Sequence, residues 1–152
     1  MYRILLATDG SAHSQKVVDE ALLIAEAVKA EVIVTTVIEK FFSPPRVFQG
    51  VTEVQDLKDV DWEQINRHVA EESKKVVEKA AQPFKDKGLN VKTEVITGYR
   101  SPADAICEMS QKEDVNLVVL GNRGLKGIGE LFLGSVSNKV AHCTGANVLI
   151  VK

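Results

Sequence analysis

Between Leu117 and Ser137 the chain reads LVVLGNRGLKGIGELFLGSVS. Gly121 and Gly124 are separated by two residues, nine residues separate Gly124 from Gly134, and Ser135 follows at once. The stretch opens as a buried strand, passes through a glycine-rich loop and closes at a helix start. Glycines let a ligand approach backbone amides with no Cβ in the way. A helix N-terminus adds unpaired N–H groups and the positive end of the macrodipole, and together these make a site for an anion, most often phosphate. Amides near Gly124, Gly134, Ser135 and Val136 suit phosphate oxygens, and the Ser135 and Ser137 hydroxyls can donate to them. Arg123 and Lys126, inside the loop, either neutralise phosphate charge or stand solvated. Ser135 also reads as a plain N-cap.

The second polar signal is Asp9, at the end of the apolar run RILLAT. A carboxylate is repelled by a bare phosphate in a partly dry site. Asp9 therefore suits adenine or ribose donors, or a divalent cation, unless it simply caps the first helix.

The spacing G-x2-G-x9-G-S directly after a strand, with RILLATDGSAHS at the start and VLIV at the end, resembles the nucleotide-binding, ATP-binding branch of the universal stress proteins over nearly the whole chain. The resemblance implies an adenine nucleotide surrounded by the ends of the first, second and fourth strands. Carried over by position, that names Thr8, Asp9, Val37, Leu120 and Gly121 for base and ribose, with Val37 contributing its backbone. Two positions depart from the family pattern. Lys126 stands where a small hydroxyl residue is common, and Asn147 where a proline commonly precedes the last strand.

Around these residues, strands and helices alternate. Strands are expected at Arg3–Thr8, Glu31–Ile38, Asn90–Thr97, Leu117–Leu120 and Asn147–Val151. The first helix runs from Ser11 or Ser14, either of which can cap it, to about Ala30, with Val17, Ala21, Ile24, Ala25 and Val28 at helical spacing. A charged helix spans Asp61 to about Lys87, where Pro83 should kink or end it and Gly88 stops it. Ser101-Pro102-Ala103-Asp104 has the form of a helix start. The last helix begins at Ser135 and runs to about Cys143. Glu39–Val60, with Phe41, Phe42 and Phe48, has no clear period and reads as a lid, a partner surface or a variable insertion.

This alternation demands an α/β fold with a parallel sheet and helices on both faces. A doubly wound five-stranded sheet of order 3-2-1-4-5, adenine nucleotide alpha hydrolase-like, fits and agrees with the resemblance. Its order reverses between strands one and four, so Asp9 and Gly121 converge on the crevice where ligands bind in such sheets.

A chain of 152 residues forms one domain, 1–152, with a substantial core. A formal charge of −2 gives no global attraction to nucleic acid or anionic membrane. One Trp and two Tyr do not make a base-stacking surface. With no signal-peptide layout and no membrane-length apolar run, the expected location is cytoplasmic. Cys107 and Cys143, far apart in sequence and each in an apolar helical pattern, are expected as buried free thiols rather than a disulfide or metal site.

The expected function is an adenine-nucleotide-binding (ATP or AMP) stress-response or signalling switch, with Mg²⁺ or Mn²⁺ accompanying the nucleotide and hydrolysis slow or absent. The alternative is a dedicated nucleotide hydrolase or adenylyl-transfer enzyme on the same fold. No Walker A sequence occurs, and strand three ends in Thr97-Gly98 without the acceptor Asp of a phospho-receiver. The uncharged last strand, which this order leaves at a sheet edge, predicts a homodimer through that strand.

Overall fold

The computed structural model describes residues 1–39, 60–122 and 134–152. The expectations for Arg123, Gly124, Lys126 and the 40–59 segment lie outside the described residues. Among the described residues, five strands and four helices follow one another as β1 Arg3–Ala7, α1 Ser14–Val28, β2 Glu31–Val37, α2 Trp62–Asp86, β3 Val91–Ile96, α3 Pro102–Lys112, β4 Leu117–Gly121, α4 Ser135–Cys143 and β5 Asn147–Val151. All strand pairs are parallel, and the order is β3-β2-β1-β4-β5, as the alternation predicts.

Alternation along the strands builds two cores, because successive side chains leave opposite faces of a strand. Ile4, Leu6, Val32, Val34 and Val119 pack with Val17, Ala21 and Ala25 of α1 and with Val77, Ala81 and Phe84 of α2. Leu5, Ile33, Val118 and Leu120 pack on the other face with Ala103, Ile106 and Met109 of α3 and Val140 of α4. Right-handed crossovers explain the division. Winding outward from β1 through β2 to β3 lays α1 and α2 on one face. Returning to β4 and continuing to β5 lays α3 and α4 on the other. The winding reverses between β1 and β4, which opens a crevice at their carboxyl ends.

The helix ends hold both agreements and corrections. Ser101 caps α3, accepting from the Asp104 amide at 3.2 Å, and Gly88 turns the chain after α2 at φ +70°. Neither Ser11 nor Ser14 caps α1. Its N-cap is His13, without a side-chain bond, and the Ser14 hydroxyl donates to Asp9 instead. Pro83 does not end α2, which continues to Asp86, and the fully buried Phe84 beside it pins the last turn to the sheet. Val28, expected on the inner face of α1, is 45% exposed.

Cys107 and Cys143 are joined in a disulfide, with Cα atoms 6.0 Å apart, against the expectation of free thiols. The 36-residue separation hid their proximity, which is produced by α3 and α4 lying side by side on one sheet face.

At the amino ends of the strands, the Glu31 carboxylate is nearly sealed from water between Arg3 Nε at 3.1 Å and Lys92 Nζ at 3.0 Å. The Lys92 hydrogen bond, aided by Arg3 and opposed by burial, holds the Glu31 carboxyl below its ordinary value. Arg3 also donates from Nη1 to the Glu113 carbonyl at 2.8 Å, tying the approach to β4 into the same group. No helix of the described residues is long and apolar enough to cross a membrane.

Candidate nucleotide site

The crevice begins where β1 ends. Ala7 lies opposite Leu120, so Thr8 and Gly121 leave the sheet side by side. The Thr8 amide extends the β1–β2 pairing by donating to the Thr35 carbonyl at 2.9 Å, and its buried Oγ1 accepts from the Gly10 amide at 3.3 Å. Gly10 has φ +73°, and a Cβ there would come within 2.9 Å of Val76 on α2. The turn after β1 is therefore restricted to glycine by both backbone conformation and packing.

That turn orients Asp9. Its Oδ1 accepts from the Ser11 amide at 2.9 Å and from the Ser14 hydroxyl at 3.3 Å. This is an Asx turn with a second hydroxyl tether. Among the described residues only Oδ1 is engaged, so a half-buried carboxylate oxygen remains for another donor. The helix-capping alternative is thereby replaced by a turn-stabilising role that leaves one oxygen over. Val37 is half-buried at the end of β2, opposite Ile96, and Leu120 is buried opposite Ile150.

Just beyond the end of β4 stands the start of α4. Gly134 is its N-cap at φ −57°, ψ 151°, and no side chain caps the helix. The Gly134 amide donates to the Asn122 carbonyl at 3.2 Å, while the Gly134 carbonyl accepts the first helical bond from the Asn138 amide at 2.9 Å. The amides of Ser135, Val136 and Ser137 have no acceptor among the described residues. These three orphan donors, at the positive end of a nine-residue helix, are chemically suited to phosphate oxygens.

Two expectations change at atomic detail. The Ser137 side chain is 1% exposed and its hydroxyl donates to the Gly134 carbonyl at 3.0 Å, so the exposed hydroxyl at this helix start belongs to Ser135. The Gly134 amide is likewise engaged within the fold. A Cβ on Gly134 would lie 2.6 Å from the Asn122 carbonyl oxygen, so close backbone contact requires this glycine whether or not a ligand is bound.

Asn122 is the residue that sequence reasoning missed. Its amide donates to the Val151 carbonyl at 2.8 Å and its carbonyl accepts from Gly134, so it joins β4, β5 and α4 at the mouth of the crevice. Its Oδ1 is buried with no partner among the described residues. The available signal was its place between Gly121 and Gly124.

The register and the Gly134–Asn122 bond thus place Thr8, Asp9, Gly121 and the start of α4 with Gly134, Ser135, Val136 and Ser137 at the carboxyl ends of β1 and β4, with Val37 at the end of β2. Comparisons with known proteins agree with this architecture. A universal stress protein of Bacillus subtilis, YxiE, is 33% identical over 150 residues, covering 99% of this chain and 98% of that protein. The solved structure of the hypothetical protein MJ0577 superimposes with a TM-score of 0.77 at 24% identity, covering 99% and 95% of the two chains. A universal stress protein solved in complex with cAMP gives a TM-score of 0.65 at 27% identity, covering 99% and 97%. Residues 1–152 match the universal stress protein family, and the chain belongs to it.

Proposed function

We propose that this chain is a single-domain adenine-nucleotide-binding protein, holding ATP or AMP and acting as a cytoplasmic stress-response or signalling switch with slow or no hydrolysis. The observation that carries this reading is that the uncapped start of α4 and an Asp9 with one unengaged carboxylate oxygen lie at the carboxyl ends of β4 and β1, the two neighbouring strands between which the sheet order reverses. Phosphate oxygens pair with the Ser135, Val136 and Ser137 amides and the Ser135 hydroxyl. Asp9 accepts from the base or ribose, or engages a Mg²⁺ or Mn²⁺ ion that travels with the nucleotide. Thr8, Val37, Leu120 and Gly121 form the wall for base and ribose, and Arg123 and Gly124 complete the phosphate side. The relative that binds cAMP supports an adenine ligand.

Valine at position 134 would not test this reading cleanly, because its Cβ would strike the Asn122 carbonyl. Ser135→Pro is the sharper probe. Proline suits the first position of a helix, and Gly134 already has the extended ψ that precedes proline without strain. The substitution deletes one amide donor and one hydroxyl while leaving the helix. The loss of charge-assisted hydrogen bonds should weaken ATP by about ten- to a hundredfold in a protein of unchanged circular dichroism. Wild-type affinity in folded Ser135→Pro would overturn the assignment. Protein purified without added nucleotide should release an adenine nucleotide on denaturation, identified by absorbance and mass spectrometry. ATP should compete better than GTP.

A further inference from the structure

The disulfide lies at the opposite end of the helix whose first turn offers the three orphan amides. Cys143 is the last residue of α4, and Cys107 lies within α3. Next to it the Thr144 and Ser110 hydroxyls are 2.8 Å apart, and one turn back Lys139 Nζ meets Asp104 at 2.7 Å. Every one of these links joins α4 to α3. By contrast, α4 fully buries only Ser137 and Val140. A helix of nine residues has little stability by itself. Beyond the Gly134–Asn122 bond at its start and its packing on the sheet, its direction depends on how firmly α3 holds it, and the covalent link is the strongest of the α3 holds.

We propose that Cys107 and Cys143 are a reversible dithiol–disulfide modification site that governs nucleotide affinity by clamping α4. The regulatory part rests on the nucleotide reading above; the clamp itself does not. In the oxidised state the Ser135–Ser137 amides are held in place before a ligand arrives, so less ordering is required on binding. In the reduced state α4 keeps its contacts with α3 but loses its fixed end, and the same amides must be ordered by the ligand.

The chemistry is exchange with a soluble dithiol. Cys107 is 7% exposed and Cys143 is more open, so entry is at Cys143. A thiolate of the dithiol attacks Cys143 Sγ, a mixed disulfide forms there, the Cys107–Cys143 bond breaks, and Cys107 leaves as a thiolate that takes a proton. The second thiol of the dithiol then attacks its own sulfur in the mixed disulfide. Cys143 leaves with the other proton, and the dithiol departs as its cyclic disulfide. Two electrons and two protons have moved from the dithiol to the protein, and the reverse sequence restores the clamp.

The test equilibrates the full chain with reduced or oxidised dithiothreitol and follows three readouts. Alkylation with mass spectrometry should find two labels in the reduced buffer and none in the oxidised one. Hydrogen exchange at the amides of Asn138–Thr144 should be about tenfold faster after reduction, and ATP should bind about tenfold more weakly. Because coupling is reciprocal, saturating ATP should shift the exchange equilibrium toward the disulfide by the same factor. The double variant Cys107→Ala, Cys143→Ala should match the reduced form in either buffer. Alkylation of both cysteines in the oxidised buffer, or equal exchange of α4 in the two buffers, would remove the clamp. ATP affinity equal in both forms would overturn the regulation while leaving nucleotide binding intact. ATP binding to neither form would overturn the nucleotide reading and its regulation together, with the α4 exchange contrast still deciding the clamp.

Discussion

At Asp9, one carboxylate oxygen serves the turn that follows β1, accepting from the Ser11 amide and the Ser14 hydroxyl. The pair Asp9→Asn and Asp9→Ala separates this duty from any duty to a ligand. Asparagine keeps an oxygen for the turn and loses the charge, so stability should stay within about 0.5 kcal/mol of wild type. Alanine removes both and should cost about 1 kcal/mol in urea unfolding. ATP affinity should fall about tenfold or more in both variants, read by titration calorimetry. If Asp9→Asn bound ATP as wild type does, Asp9 would be a turn residue alone. The start of α4 was legible in the sequence because its signal is written in backbone chemistry, as small residues at fixed intervals after a strand. The destination of the Ser137 hydroxyl was not, since a serine at the third helical position faces a ligand or its own helix according to tertiary burial. Asn122 was missed for a related reason: its contacts to Val151 and Gly134 join three elements, and no local spacing encodes them.

Among the elements, the strands were easiest to read. Apolar runs such as RILLA and EVIVTTV need cover on both faces, and only a central parallel sheet provides it. Helix ends were harder, because the start of α1 and the last turn of α2 are decided by the Asp9 tether and by the burial of Phe84. The Cys107–Cys143 link depended on the docking of α3 beside α4, which the order of elements implies but the residue spacing does not. The Glu31 group lets sheet assembly be tested by pH. Its carboxyl is held below the ordinary value of 4.5, so the associated stability is fully present above that pH and is lost as pH falls through the folded value. Glu31→Gln should cost about 1–2 kcal/mol at pH 7, less than the 3–5 kcal/mol of a fully buried pair, because Arg3 and Lys92 can turn to water. Urea unfolding of wild type and Glu31→Gln should then converge as pH is lowered from 5 toward 3, measured at roughly half-unit steps. A difference that stayed constant over that range would show that Glu31 contributes through packing rather than charge.

For the whole molecule, the two margins of the sheet are chemically unlike. β3 alternates half-buried and exposed positions, with Lys92 and Glu94 exposed, whereas β5 is Asn147-Val148-Leu149-Ile150-Val151, with its middle residues only half-buried. The prediction of a homodimer through β5 concerns this second margin. The hydrogen bonds choose the variant. The Asn147 amide donates to Asn116 and the Val151 carbonyl accepts from Asn122, so odd-numbered residues of β5 face β4 and the even-numbered ones face outward. Leu149→Pro would therefore damage the fold, while Val148→Pro removes an outward donor at similar volume. Light scattering at micromolar protein should give twice the chain mass for wild type and a monomer mass for folded Val148→Pro. A wild-type monomer would refute the pairing. The inequality of the margins also sets a limit on growth. A particle with two adhesive edges has a valency of two and polymerises, as stacked sheets do in fibrils, whereas one with a single adhesive edge has a valency of one. Pairing through β5, as predicted, would saturate when two copies meet, because the margin left over on each is the charge-bearing β3. Raising the concentration would fill pairs without lengthening them.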